Sequence, residues 1–257
     1  MSEIVEFTNI PEEKISVVVP VLNEEANVGF MVSEIGQTLS GWNFEMIFVD
    51  DCSTDETSAR LKKLKEEYPQ LRCIQHMETC GQSAAVRTGV EGATGSVIVT
   101  LDGDGQNPPS EIKNLALHLL NHTDDIKLVQ GQREKRQDTV WKKSASKFAN
   151  GLRQKLLKDG IRDSGCGLKA FYRDAYLSLA YFDHLHRFMP AMMLREGFGV
   201  DVRAVTHSDR KAGVSKYGNL DRALVGLWDL LGVMWLMRRR RKSASIELGI
   251  NVQEKSD

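Results

Sequence analysis

Four cysteines in 257 residues form no CxxC pair and show no zinc-ligand spacing, which removes the usual sequence signals for a redox dithiol or a zinc module. No positively charged leader with an apolar core opens the chain, so Cys52, Cys73, Cys80 and Cys166 read as reduced cytosolic thiols. Long hydrophobic runs are missing too. The longest apolar stretch, Leu224 to Met237, has 14 residues, is interrupted by Asp229 and is too short to span a bilayer. Neither an internal repeat nor a linker rich in Pro, Gly or Ser divides the chain, so one α/β domain with a C-terminal appendage is expected. Net charge is almost absent, at −1, but its distribution is uneven. From Arg203 to Lys242 ten basic residues (203, 210, 211, 216, 222, 238–242) face three aspartates, a local excess of +7 suited to phosphates or an anionic membrane surface.

An apolar content of 41% supplies a core, and the apolar residues fall in strand-like runs that stop at polar clusters. Val97–Leu101 runs into Asp102-Gly103-Asp104-Gly105-Gln106. Phe44–Val49 runs into Asp50-Asp51-Cys52-Ser53-Thr54-Asp55, and Ile15–Val19 into Pro20-Val21-Leu22-Asn23-Glu24-Glu25. Open α/β sheets bind ligands at the carboxyl ends of their strands, so three such ends suggest one crevice. Two carboxylates and an amide oxygen are hard ligands suited to Mg²⁺ or Mn²⁺ on a diphosphate. Asp and Gly are also ordinary turn residues, which is the competing reading of each cluster alone.

Helical spacing separates the strands. Val28, Met31, Val32, Ile35 and Leu39 mark a helix over 24–39; Ser53 or Thr54 is placed to cap a second that runs through Lys65. Strands are expected at 71–75 and 126–130, a helix opening at Gly81, and another running from Pro108-Pro109 to Asn121. This alternation predicts a mostly parallel, doubly wound sheet. Beyond it come a helix over 141–157, a Gly-rich turn at 163–167, a strand over 168–172, a helix over 187–195, a strand over 200–205 and a closing helix over 220–237. Gly89, Gly92 and Gly95 lie at a helix end, which is the wrong context for a dinucleotide loop.

In order along residues 15–237, the segments VVVPVLNE (17–24), FVDDCSTDET (48–57), GQSAAVRTGV (81–90), LDGDGQNPP (101–109), GQR (131–133), SGCGLKAF (164–171) and RKAGVSKYG (210–218) carry a likeness. Together they resemble family 2 GT-A glycosyltransferases of the dolichol-phosphate mannose synthase-like, polyprenyl-phosphate branch. The resemblance implies a GT-A fold over 15–219, after an extension at 1–14. An amphipathic helix with a basic membrane-facing end would follow at 220–242, then a flexible tail at 243–257. It implies that Pro20, Leu22 and Glu24 lie under the donor nucleotide and that Val49 and Asp51 frame its base and ribose. Asp102 and Asp104 would address the diphosphate and its metal, Gln106 would be a further metal ligand, and the Gly103 backbone would lie against the donor. Arg133 matches a phosphate-binding arginine, and Arg210 with Lys216 a basic pair on a loop closing over the diphosphate. Lys142 and Ser146, one turn apart on a helix, are candidates beside Arg133 for the acceptor phosphate, against the plainer reading of a solvated face. Leu22 stands where many relatives have an aromatic, and Gly103 where Ala is common. Those departures leave UDP and GDP open.

The implied activity is inverting, metal-dependent transfer of a sugar from a nucleotide sugar to undecaprenyl or dolichyl phosphate. The expected place is the cytoplasmic face of the membrane, reached as a peripheral protein, with a separate membrane transferase downstream and no nucleic-acid partner. The chemistry is consistent. A leaving nucleoside diphosphate gains negative charge that a divalent ion and basic side chains offset, and a phosphate acceptor, ionised near neutral pH, requires no general base. A hydroxyl acceptor in cell-envelope polysaccharide or lipopolysaccharide synthesis would need one, for which Asp183 beside His184 and His186 is the candidate. A non-catalytic nucleotide-sugar-binding protein is the rival from another class. The apolar face of the closing helix, with Trp228 and Trp235 ahead of Arg238–Lys242, reads as an interfacial anchor against the alternative of a core helix with a solvated tail.

Overall fold

The computed structural model describes residues 10–122, 125–133, 151–206 (apart from 152, 155 and 158) and 219–239. Seven strands form one sheet: β1 (Ile15–Val21), β2 (Phe44–Asp50), β3 (Leu71–Gln75), β4 (Val97–Thr100), β5 (Ile126–Arg133), β6 (Lys169–Tyr172) and β7 (Gly199–Val205). Their order is β3-β2-β1-β4-β6-β5-β7. The described helices are α1 (Glu25–Thr38), α2 (Thr57–Glu67), α3 (Gln82–Gly92), α4 (Glu111–Leu120), α5 (Arg173–Leu177), α6 (Leu185–Glu196) and α7 (Asn219–Met237).

Strand alternation sorts the core into two layers. Val17, Val19, Met46, Phe48, Val97 and Val99 point to one face, where Met31, Val32 and Ile35 of α1 and Ile112, Leu115 and Leu119 of α4 cover them. Val18, Ile47, Val49, Ile98 and Phe171 point to the other, against Val86 of α3 and Met189, Met192 and Met193 of α6. A sheet buried on both faces explains the near-continuous apolar strands.

Two sequence expectations need correction, and two features of the mostly parallel sheet and its helices were not foreseen. Ser53 and Thr54 do not cap α2, which starts at Thr57. The Ser53 hydroxyl instead accepts the Asn23 amide at 2.8 Å, and the Thr57 hydroxyl accepts the Glu24 amide at 2.9 Å, stitching the loops after β1 and β2 together. Pro108 and Pro109 lie just ahead of α4, their carbonyls accepting the amides of Glu111 and Ile112. The short helix α5 was not anticipated. Finally, β6 is antiparallel to both neighbours, Thr100 and Gln130 each pairing with Lys169. Because the chain re-enters at the edge where β4 and β5 end, β6 can only run back between them. Of the helix expected over 141–157, residues 141–150 lie outside those described, and Gly151, Arg153, Gln154, Leu156 and Leu157 are helical.

At the opposite sheet edge, buried Glu45 binds the end of α3 to β1 and β2. Burial alone would raise its pKa, but the Thr94 amide, Arg72, Ser16 and the Thr94 hydroxyl outweigh that and hold it at about 2, below an ordinary 4.5. The ionised form is therefore favoured by folding. Its contribution is complete above pH 4.5 and fades as pH falls toward 2. Glu45→Gln should lower the urea midpoint clearly at pH 7 and by progressively less between pH 4.5 and 2, as paired denaturation curves would record.

Candidate active site

The loops leaving β1, β2 and β4 meet at the carboxyl edge of the sheet. Asn23 adopts φ 55°, and its side-chain oxygen accepts the Thr54 amide at 2.7 Å. Asn27 donates to the Glu24 carboxylate at 2.6 Å, fixing an acid beside α1. Asp50 turns inward, accepting the Ser53 amide and the Ser58 hydroxyl. Asp51, 4% exposed, takes the amides of Cys80 and Gly81 at 2.8 Å each and His76 Nδ1 at 2.7 Å. Thus Asp51 positions the N-terminus of α3. Val49 is wholly buried in the core, so its side chain underlies the site rather than lining it.

The acidic loop follows β4. Asp102 Oδ1 accepts Gln82 Nε2 at 2.8 Å and Oδ2 accepts Asn107 Nδ2 at 3.0 Å, so α3 and the loop's own end hold the carboxylate from two sides. Burial, then the charge of Asp104, push the Asp102 pKa up; Lys169, Asn107 and Gln82 oppose them. Asp104 Oδ1 accepts the Gln106 amide at 3.1 Å across a turn in which Gly105 has φ 72°. At Gly103 an added Cβ would stand 2.8 Å from the Pro20 carbonyl oxygen and 2.7 Å from a Val21 methyl, so the end of β1 is what demands glycine there.

The re-entrant turn closes the other side. Thr100 donates to the Gly167 carbonyl at 2.7 Å, bringing that glycine so close that a Cβ on it would fall 2.2–2.3 Å from the Asp102 carboxyl atoms. Lys169, 2% exposed, donates to the Cys166 carbonyl, and burial depresses its pKa against the pull of Cys166, Asp102 and Asp163. Arg133, at the end of β5, forks onto Asp163 with bonds of 2.6 and 2.8 Å. That bidentate bond raises the arginine pKa, and the Asp102 charge adds to it.

Most of the expected residues therefore converge: Pro20 near the end of β1, Leu22, Glu24, Asp51, Asp102, Gly103, Asp104 and Gln106 on three adjoining loops, and Arg133 at the end of β5, near enough to feel the charge of Asp102. Arg210, Lys216, Lys142 and Ser146 lie outside the described residues. His184 and His186 serve packing between helices, His184 Nδ1 standing 2.9 Å from Asp229 of α7 and half-buried His186 bonding Ser83 of α3 at 2.7 Å. Burial drives the His186 pKa well below 6.5, and the charges of Lys169, Arg187 and His184 add to that, so it stays neutral. Sequence reasoning missed Gln82, Asn107, Asp163, Gly167 and Lys169. Four of the five sit inside the segments already singled out, and Asp163 directly precedes one.

The donor set fits a divalent cation. Two carboxylates two residues apart, one with its pKa raised by burial and then by the charge of the other, are an excess of negative charge on hard oxygen ligands. Asp102, Asp104 and Gln106 would hold Mg²⁺ or Mn²⁺ there.

Comparison with known proteins agrees with this geometry. Residues 16–179 match the family model described as Glycosyl transferase family 2. Dodecaprenyl-phosphate galacturonate synthase of Rhizobium johnstonii is 34% identical over 243 residues, 91% of this chain and 71% of that protein. Undecaprenyl-phosphate 4-deoxy-4-formamido-L-arabinose transferase of Klebsiella pneumoniae is 31% identical over 214 residues, 82% of this chain but only 64% of that protein's length. Glucosyl-3-phosphoglycerate synthase of Mycobacterium tuberculosis, solved with Mn²⁺, UDP and glucosyl-3-phosphoglycerate, superposes with a TM-score of 0.66 at 18% identity, covering 88% of this chain and 80% of that one. The same enzyme with Mg²⁺ and UDP gives a TM-score of 0.65 at 19% identity over 86% and 80%. A family match over more than half the chain, on a sheet that superposes on solved glycosyltransferases, settles the assignment: the chain belongs to glycosyltransferase family 2 and has the GT-A fold.

Proposed function

We propose that this protein transfers a sugar, with inversion, from a UDP- or GDP-linked donor to polyprenyl phosphate. One observation carries the reading: Asp102 and Asp104 sit together on the loop at the carboxyl edge of the sheet, with Arg133 close enough to feel the charge of Asp102. Two relatives named for polyprenyl-phosphate acceptors support the choice of acceptor.

In this reading Pro20, Leu22, Glu24, Val49 and Asp51 shape the nucleotide end, Val49 from beneath. Asp104 and Gln106 would ligate the cation, while Asp102, held by Gln82 and Asn107, would brace it and the diphosphate. When bound, the cation offsets charge on the departing diphosphate. Arg133, exchanging part of its fork from Asp163 to phosphate, adds a second offset, completed by Arg210 and Lys216. An acceptor phosphate oxygen forms the new bond at the anomeric carbon as the bond to the donor's β-phosphate oxygen breaks; the electron pair leaves with the nucleoside diphosphate. No proton must be removed from an ionised phosphate, and Lys142 and Ser146 would help seat it beside Arg133.

Membrane contact belongs to the same proposal. Trp228, Leu231 and Trp235 are 74%, 49% and 57% exposed along one side of α7, whereas Leu230 and Val233 pack inward. Arg239 lies 4.8 Å over the Trp235 ring, a basic residue at the end of an apolar stripe. No described helix is long and apolar enough to cross a membrane. The proposal includes peripheral binding at the cytoplasmic face of the membrane and a downstream membrane transferase that consumes the product; the lipid acceptor supports membrane contact itself.

The hydroxyl-acceptor reading keeps one observation. The Asp183 side chain is 65% exposed, and its Oδ1 comes within 3.8 Å of where a Cβ on Gly81 would lie, beside the start of α3. Radiolabelled nucleotide sugars incubated with polyprenyl phosphate and, separately, with saccharide acceptors decide between them. Label extracted with the lipid is the expected result; label only on saccharides would overturn the proposal.

A further inference from the structure

At the other end of α4 from the acidic loop, three potential ligand atoms close into a triangle. His118 in the last turn of α4 and His122 just beyond it, four residues apart, meet Asp201 of β7. His118 Nε2 and His122 Nε2 lie 2.6 and 2.7 Å from the same oxygen, Asp201 Oδ2, and 2.8 Å from each other. Hydrogen bonding cannot satisfy all three sides. Arg203 Nε donates to His118 Nδ1 at 2.8 Å, and a guanidinium only donates, so the proton of a neutral His118 is on Nε2. If His122 Nε2 also carries a proton, two donors face each other at 2.8 Å. If it does not, its lone pair faces a carboxylate oxygen at 2.7 Å.

We propose that His118, His122 and Asp201 form a binding site for a borderline transition-metal ion, Zn²⁺ being the best fit, separate from the Mg²⁺ or Mn²⁺ of the transfer reaction. Two imidazoles and one carboxylate are a ligand set that zinc accepts with water in the fourth position. Opening each side of the triangle by roughly 0.6 Å gives the ligand separations of a tetrahedron with bonds of about 2.05 Å. Loading moves the His118 proton from Nε2 to Nδ1, freeing the Nε2 lone pair for the ion, and the exposed Arg203 side chain lets go of Nδ1. Mg²⁺ and Mn²⁺ prefer oxygen ligands, so the two sites sort metals by donor type. The consequence is structural: the ion pins the C-terminal end of α4 to β7, the edge strand of the sheet. The inference stands whether or not the acceptor is a lipid.

The test uses the full chain without a histidine tag, in an Asp104→Ala background so that the acidic loop takes no zinc. Competition with a chromophoric chelator at pH 7.5 should count one Zn²⁺ per chain, and Zn²⁺ should raise the melting temperature until that ratio is reached. His122→Ala should weaken binding by at least about tenfold, and Arg203→Gln should strengthen it by removing a competing cation. Co²⁺ in the parent chain should give the intense visible bands of a tetrahedral site, a readout that holds even if His122→Ala does not fold. Zinc binding unchanged by His122→Ala, or a cobalt spectrum without tetrahedral bands, overturns the proposal.

Discussion

Asp104→Ala should lower kcat by about a thousandfold with saturating donor and Mn²⁺, roughly 4 kcal/mol of lost transition-state stabilisation at 1.36 kcal/mol per decade. The size follows from what the loop does. Asp102 is held in place by amide donors from Gln82 and Asn107, and burial, with the charge of Asp104 added to it, raises its pKa. A bound cation would relieve that repulsion. Removing Asp104 removes both the repulsion and a cation ligand. The variant should therefore unfold at the same temperature as the parent or a higher one while losing activity, the usual opposition of stability and function at a charged site. EDTA on the parent chain should reproduce the loss of turnover, and Mn²⁺ in excess should restore it. Steady-state rates and melting curves on the two proteins, with and without EDTA, make the comparison. Full turnover by Asp104→Ala would instead favour a nucleotide-sugar-binding protein, and parent activity persisting in EDTA would remove the metal from the proposal.

The strands that deliver these acids were visible in the sequence because each is an apolar run stopped by polar residues. β3 matches its expected span, 71–75, and β1, β2, β5 and β7 differ only by one to three residues at their ends. Such runs are set by burial on both sheet faces, a local signal. The antiparallel placement of β6 was not visible. Lys169-Ala170-Phe171-Tyr172 has no feature that distinguishes a parallel from an antiparallel neighbour; the direction is imposed by the edge at which the chain returns. The same holds within the site. Asp102 and Asp104 were readable as ligands from their type and spacing. Asp51 looked equally polar, yet its oxygens hold Cys80, Gly81 and His76, contacts across 25–30 residues that no local pattern reveals. Arg133 was recognised as an anion-binding group, but its partner Asp163 is 30 residues away, and only the fold joins them.

Gly167→Ala tests the most specific of those long-range contacts. A methyl group there would overlap all three Asp102 carboxyl atoms, at 2.2–2.3 Å, so the carboxylate must swing aside. Leaving means surrendering the Gln82 and Asn107 hydrogen bonds, since both amides point at its present position. Misplacing a positioning group by about 1 Å costs on the order of 100-fold in rate, and that is the expected fall in kcat/KM. Gly165→Ala is the internal control. Its added methyl would meet Arg133 and Asp163 only at 3.6 and 3.8 Å, ordinary contact, so activity should stay within about twofold of the parent. A second comparison isolates the cause. In an Asp102→Ala background, Gly167→Ala should cost nothing further, because the group it displaces is gone; coupled neighbours fail to add in this way and independent sites do not. An additive loss in the double variant would mean that Gly167 acts through the backbone of the turn instead, and Asp102 would lose its place as the group that the re-entrant strand was built to accommodate.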